Sequence, residues 1–295
     1  MGGGISFYKK RFIGIVPAYW GLAVLFTAYY IIVYYVLGEK EQIATLLKDS
    51  LILFPTEFLG LQSSFSTIFP KLHNSGTWFV SCLIFCYFLY PLLKLISEGL
   101  KEGQKIILIV ILWILLVYAA IIPQVYGIAT IYTNILYRIL EFTIGVLLFR
   151  LKIPNRIEGL LGNWWAFIIE LVLLNASLFV GMELIGIPTD FMLYNWCAIP
   201  CFILMIITLS NLEENAFFKS RFLSYASGAS YMFFFAQFFT WHPTRFVIKY
   251  LHLGDALYIK LSISLIFCII ITVLLHEFME KPVKKIFQRI LLEVK

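Results

Sequence analysis

Four places in the chain carry ionisable side chains in settings where they could do chemistry. Arg138 and Glu141 stand three residues apart, a spacing that puts both on one helix face. A charge at the middle of an apolar helix costs about 2.5–3.5 kcal/mol, so such residues pair or face a cavity. The pair therefore reads either as a self-closing ion pair or as a site that positions a polar substrate. Glu170 lies in another apolar run without a partner nearby in sequence, and could face the same cavity. His242 stands beside Trp241, Pro243 and Arg245. An imidazole suits general-base work near neutral pH, and a histidine at an interfacial helix break is the bland alternative. His276, Glu277 and Glu280 spell HExxE, not the HExxH of a zinc site. They are expected to cap a helix end. His73 and His252 are expected in external loops.

Several other chemistries lack their residues. No GxxxxGK[ST] or GxGxxG occurs, and Gly2, Gly3 and Gly4 lack the strand–turn–helix context of a phosphate loop. A GxSxG elbow is absent too. Cys82, Cys86, Cys197, Cys201 and Cys268 all fall in apolar runs, with no CxxC and no nearby histidine. They read as small buried packing residues, and no metal site is expected.

The elements that must position these side chains follow from composition. The chain has 295 residues, 61% hydrophobic and 14% charged, with a mean hydropathy of +0.89. Soluble domains are about 45–50% apolar and about 25% charged, and a chain of this length has too little interior to hide the excess. Disorder is excluded by the same numbers. The long continuous apolar runs exclude a membrane barrel, whose strands alternate. An all-α, polytopic membrane protein remains. Eight spans are expected, at 14–37, 78–97, 106–126, 131–149, 163–187, 191–210, 226–248 and 256–277. Of the 23 Lys and Arg, sixteen fall on one side of this arrangement, six on the other and Arg138 within a span. The positive-inside rule then puts both termini in the cytoplasm. The net charge of +6 is a topology signal, and no nucleic-acid partner is expected. Lys9, Lys10 and Arg11 before the first run resemble a signal anchor, without a cleavage site. One transmembrane domain is expected over 1–295, with an external segment at 38–77 holding a short interfacial helix and a cytoplasmic tail at 278–295. No internal repeat supports an inverted-repeat transporter.

Five segments together resemble the acyltransferase 3 family of integral membrane O-acyltransferases. Residues 6–20 are similar to its Phe-Tyr-x-x-Arg-x-x-Arg-x-x-Pro-x-Tyr segment through Tyr8, Arg11, Pro17 and Tyr19, with Gly14 where the family usually has a second Arg. Residues 76–93 resemble its Trp-rich helix ending Tyr-x-x-x-Pro, through Trp78, Tyr87 and Pro91. Residues 137–148 resemble its Arg-x-x-x-Phe-x-x-Gly helix through Arg138, Phe142 and Gly145. Residues 223–239 resemble its Ser-Tyr helix around Tyr231, with Gln237 where His often stands, and 277–285 its Glu-x-Pro ending. The resemblance implies ten spans, of which the first two, with the histidine regarded as catalytic, precede the segment matched at residue 6. The chain is accordingly expected to lack those two helices.

What the resemblance implies is acyl transfer from acyl-CoA, acetyl-CoA above all, to a hydroxyl of a cell-envelope glycan or lipid-linked sugar. No bound cofactor is implied; acyl-CoA is a co-substrate. The expected binding residues are Arg11, Lys10, Tyr19, Trp78, Arg138, Glu141, Tyr231 and Gln237. Lys9, Lys10 and Arg11 would meet the CoA phosphates, and Arg138 the thioester or pantetheine. The base is unassigned, with His242 a weak candidate. The expected setting is the plasma membrane, with the bilayer as partner. Two alternatives stand beside this reading: an inactive relative or scaffold subunit of a polysaccharide system, and a secondary transporter using Arg138, Glu141 and Glu170.

Overall fold

The computed structural model describes residues 2–61, 77–126, 132–187, 191–212, 215–252 and 256–292. Among them there are helices and no strand, so the chain is all-α. Among the described residues, six helices are long and apolar enough to cross a membrane: Ser6–Leu37, Trp78–Gly99, Glu102–Pro123, Trp164–Leu184, Met192–Asn211 and Leu257–Leu291. The protein is therefore a polytopic membrane protein. The chain forms two compact units, Met1–Ile84 with Tyr225–Lys295, and Phe85–Ser224.

The first unit is organised by a pair of long helices. Helix α1 (Gly2–Leu37) has 36 residues, about 54 Å at 1.5 Å per residue, well beyond the ~30 Å of a hydrocarbon core. Its Pro17 is fully buried within the helix. The helix stops at Gly38, whose φ of 77° is a left-handed conformation. The Gly38 N–H donates to the Tyr35 carbonyl and the Glu39 N–H to that of Tyr34, the paired bonds of a Schellman cap. Helix α2 (Lys40–Phe58) then runs back along α1, and Phe58 stacks on Trp20 at 4.5 Å with the Trp20 indole N–H donating to the Phe58 carbonyl. Helix α2 has 19 residues and lies against α1. Residues 62–76, His73 included, fall outside the described residues.

Along the other side of α1 lies a second long rod. Helix α11 (Leu257–Leu275) passes through a π-helical turn at His276–Glu280 into α12 (Lys281–Leu292). It is antiparallel to α1, as Lys9 donates to the Leu291 carbonyl while Gly21 meets Met279. A Cβ on Gly21 would stand 3.2 Å from the Met279 sulfur, so the small residue sets how closely the rods approach. The core joins Tyr19, Leu22 and Phe26 of α1 to Val80 of α3 (Thr77–Gly99). Met232 and Phe235 of α9 (Arg221–Ala236) complete it with Phe239.

The expected span 226–248 is broken. Helix α9 ends at Ala236, a 3-10 turn covers Gln237–Phe239, and α10 (Trp241–Tyr250) follows. Pro243 lacks an N–H and sits in the first turn of α10, where none is needed. Thr240 turns its hydroxyl to the Gln237 carbonyl at 2.8 Å, so the break is closed locally.

In the second unit, Ile109, Leu112, Leu116 and Ala120 form one stripe of α4 (Glu102–Tyr126). They pack on Tyr137, Ile144 and Leu147 of α5 (Ile135–Phe149). Helix α5 has 15 residues, about 22 Å, shorter than the span expected at 131–149. Its start is fixed by Asn134, whose side chain accepts from the Leu136 N–H. At the other end, buried Lys105 donates to the Arg150 carbonyl at 2.8 Å and pairs with Glu102 at 2.9 Å. A cation there complements the helix C-terminus. After the short α6 (Asn155–Leu161), α7 (Trp164–Phe179) packs on α8 (Asn195–Asn211). Across that contact buried Glu170 accepts from the Thr208 hydroxyl at 2.7 Å.

Candidate active site

One end of the first unit gathers cations from two elements. Lys9, Lys10 and Arg11 stand exposed on α1, and the α1–α12 contact brings Lys281, Lys284, Lys285 and Arg289 alongside. The sequence KPVKKIFQRILL explains the second group. Val283, Ile286, Phe287, Ile290 and Leu291 follow helical spacing and form the apolar stripe, with Phe287 6.1 Å from Trp20. The cations occupy the rest of the helix surface. The Arg11 guanidinium lies 5.4 Å from the Phe7 ring.

Beside this basic end the π-helical turn holds a buried polar cluster. His276 Nδ1 is 2.7 Å from Glu280 Oε2, and Glu280 is completely buried. The other Glu280 oxygen accepts from Lys284. The three residues follow each other at four-residue spacing, so one helix face carries all of them. From α9, the Tyr225 ring meets His276 edge-on at 5.3 Å. Burial and the hydrogen bond to Glu277 push the Tyr225 phenol up. Lys281 pairs with Glu277 and lies 5.3 Å from the Tyr225 ring centre. This arrangement offers an imidazole oriented by a carboxylate, next to a strip that attracts anions.

The resemblance-based residues separate into three places. Tyr19 is in the core of the first unit, Tyr231 donates to the Ile15 carbonyl at 3.4 Å, and Trp78 packs edge-on against Phe234. These three belong to the α1–α3–α9 core. Gln237 is exposed at the helix break. His242 lines a cleft of about 1340 Å³ with Tyr34, Glu39, Trp241, Arg245 and Lys249, and its ring stands 5.7 Å from that of Tyr30. The cleft lies at the C-terminal end of α1, opposite the basic strip.

Arg138 and Glu141 belong to the second unit and form the ion pair their spacing suggests, at 2.6 Å. Arg138 also donates from Nε and Nη2 to the Tyr132 carbonyl and lies 4.6 Å from the Tyr132 ring centre. It sits one turn into α5, not at mid-helix, and ties that end to the preceding turn. The Glu170 partner that sequence did not reveal is Thr208, on another helix. All five cysteines are free thiols. Among the described residues no group of three His, Cys, Asp or Glu is placed to hold a metal ion.

The dyad could have been found in sequence. HExxE draws the eye to Glu277 as a metal ligand, whereas the four-residue period links His276 to Glu280 and Lys284. Tyr225 comes from α9, about fifty residues earlier, and no local pattern connects it to the dyad.

Comparison with curated proteins and with solved structures gave no match. A family model described as an acyltransferase domain, that of the acyltransferase 3 family, matches residues 2–276. That stretch holds the basic start of α1 and ends at His276, so Glu280 and the cations of α12 lie beyond it. The chain belongs to the acyltransferase 3 family of membrane proteins.

Proposed function

We propose that this protein transfers an acyl group, acetyl in the first instance, from acyl-CoA to a hydroxyl of a cell-envelope glycan or lipid-linked sugar, at the plasma membrane. The observation that carries the reading is the family match over nearly the whole chain, joined to the basic strip of α1 and α12. CoA carries a diphosphate and a 3′-phosphate. A run of exposed Lys and Arg attracts such a ligand and raises its local concentration. In the transfer the acceptor oxygen attacks the thioester carbonyl, the new C–O bond forms, the C–S bond breaks and CoA leaves as its thiol. The hydroxyl proton ends on the sulfur. Lys10 and Arg11 are read as phosphate contacts.

The test is acetyl-CoA cleavage by the purified protein in lipid nanodiscs, followed by release of free thiol with and without extracted envelope glycans. Acceptor-dependent release with acetyl appearing on the glycan supports the reading. Absence of CoA binding and of thiol release overturns it.

A further inference from the structure

The cleft of about 1340 Å³ at the C-terminal end of α1 is lined entirely by residues of the first unit. Its walls combine charge with aromatic rings. Arg245, Lys249 and Lys260 line it, against one carboxylate, that of Glu39. Arg245 and Lys249 stand four residues apart on α10, so one helix face carries both and the two like charges repel each other. Both are exposed, and neither forms an ion pair among the described residues. The Thr244 hydroxyl lies 3.0 Å from that of Ser264, which fastens α10 to α11 and brings Lys260 to the same cleft. Tyr34 and Trp241 supply rings, and the Arg245 guanidinium is 5.6 Å from the Trp241 ring centre. Tyr and Trp at a membrane interface form a belt toward lipid, but a belt does not require a concave wall shared with cations.

A cleft lined by charge of one sign concentrates counter-ions, so it selects an anion. The negative face of an aromatic ring attracts the C–H groups of a sugar ring. The volume exceeds the about 300–1,000 Å³ of ordinary small-molecule sites, which leaves room for more than one sugar. We propose that this cleft binds a segment of an acidic glycan, with an anionic group of the sugar, carboxylate or phosphate, on Arg245 and Lys249 and a sugar ring on Trp241. Tyr34 lies about 35 Å along α1 from Arg11. The cleft therefore holds the glycan at residues remote from the hydroxyl that reacts. That the bound glycan is the acceptor rests on the acyltransferase reading above, and makes that acceptor a charged oligomer, not a single neutral sugar. Binding itself needs no acyl donor. The positive-inside reading puts the cleft on the outer side of the membrane.

The experiment measures binding of hexagalacturonate, of pentamannosyl phosphate and of neutral maltohexaose to the full chain in phosphatidylcholine nanodiscs, without acetyl-CoA. At least one charged probe should bind, more tightly than maltohexaose and less tightly in about 0.5 M salt. Which of the two binds tells a sugar carboxylate from a sugar phosphate. Arg245→Gln with Lys249→Gln should raise Kd about two- to thirtyfold, and Arg245→Lys with Lys249→Arg should keep it. Trp241→Leu should raise Kd about two- to tenfold. These side chains are exposed, and thermal unfolding of each variant checks that the fold is kept. Absence of binding by both charged probes, equal binding of maltohexaose, or unchanged binding in the doubly neutralised variant overturns the proposal and leaves the acyltransferase reading standing. Loss of binding when phosphatidylglycerol replaces phosphatidylcholine marks a lipid headgroup as the occupant and also overturns it. A protein that binds the charged probe at this cleft and never releases thiol from acetyl-CoA overturns the acyltransferase reading alone.

Discussion

Replacing Gly228 by alanine should raise the protein's stability. Gly228 is an interior residue of α9 in ordinary helical conformation. Alanine is favoured over glycine there by about 0.8–1.0 kcal/mol. The added methyl group meets nothing closer than 3.9 Å, ordinary contact distance, so no strain offsets the gain. For a chain of 295 residues, about 1 kcal/mol raises Tm by roughly 2–4 °C. Thermal unfolding in detergent measures the effect. An alanine variant with a higher Tm is the expected result, and a lower Tm refutes the packing of α9 beside the π-helical turn.

Other perturbations reach the remaining parts of the account. Lys10→Gln with Arg11→Gln should raise the KM for acetyl-CoA about two- to thirtyfold, taking about 0.2–1 kcal/mol for each exposed charge; the difference should shrink in about 0.5 M salt, and a salt-independent effect would contradict a phosphate contact. His242→Ala should leave acetyl-CoA cleavage unchanged, because its cleft lies at the far end of α1; loss of cleavage without loss of folding would move the base there. Trp20→Ala removes the stack on Phe58 and its hydrogen bond, at about 1–3 kcal/mol for a half-buried aromatic pair with one hydrogen bond; α2 should become sensitive to limited proteolysis, and unchanged resistance would argue against the α1–α2 contact.

The class of fold was legible in composition because a membrane imposes its demands on every span. Long apolar runs can satisfy their backbone in lipid only as helices, so the runs at 106–126 and 163–187 declare themselves. The runs at 131–149 and 226–248 are also apolar, yet their ends are set by local chemistry: the Asn134 cap shortens one, and the turn at Gln237–Phe239 divides the other. Hydropathy averages over such details. The Arg138–Glu141 pair was readable because both residues share one helix turn, whereas Thr208 as the partner of Glu170 depends on how α7 meets α8. The basic strip was half legible. Lys9, Lys10 and Arg11 stood out as a cluster, but their companions on α12 lie over 270 residues away and reach them only through the antiparallel pairing of the two rods. His276 and Glu280 were visible as a pair at helical spacing, and the edge-on Tyr225 ring was not, since α9 supplies it from about fifty residues earlier.

The central claim is that the protein moves an acyl group from CoA to a hydroxyl. The most direct measurement uses wild-type protein in nanodiscs with isotopically labelled acetyl-CoA and an envelope glycan extract. Label should pass to the glycan as an alkali-labile ester, at a rate matching the release of CoA thiol. CoA thiol that never appears, with no label on any acceptor, would contradict the account.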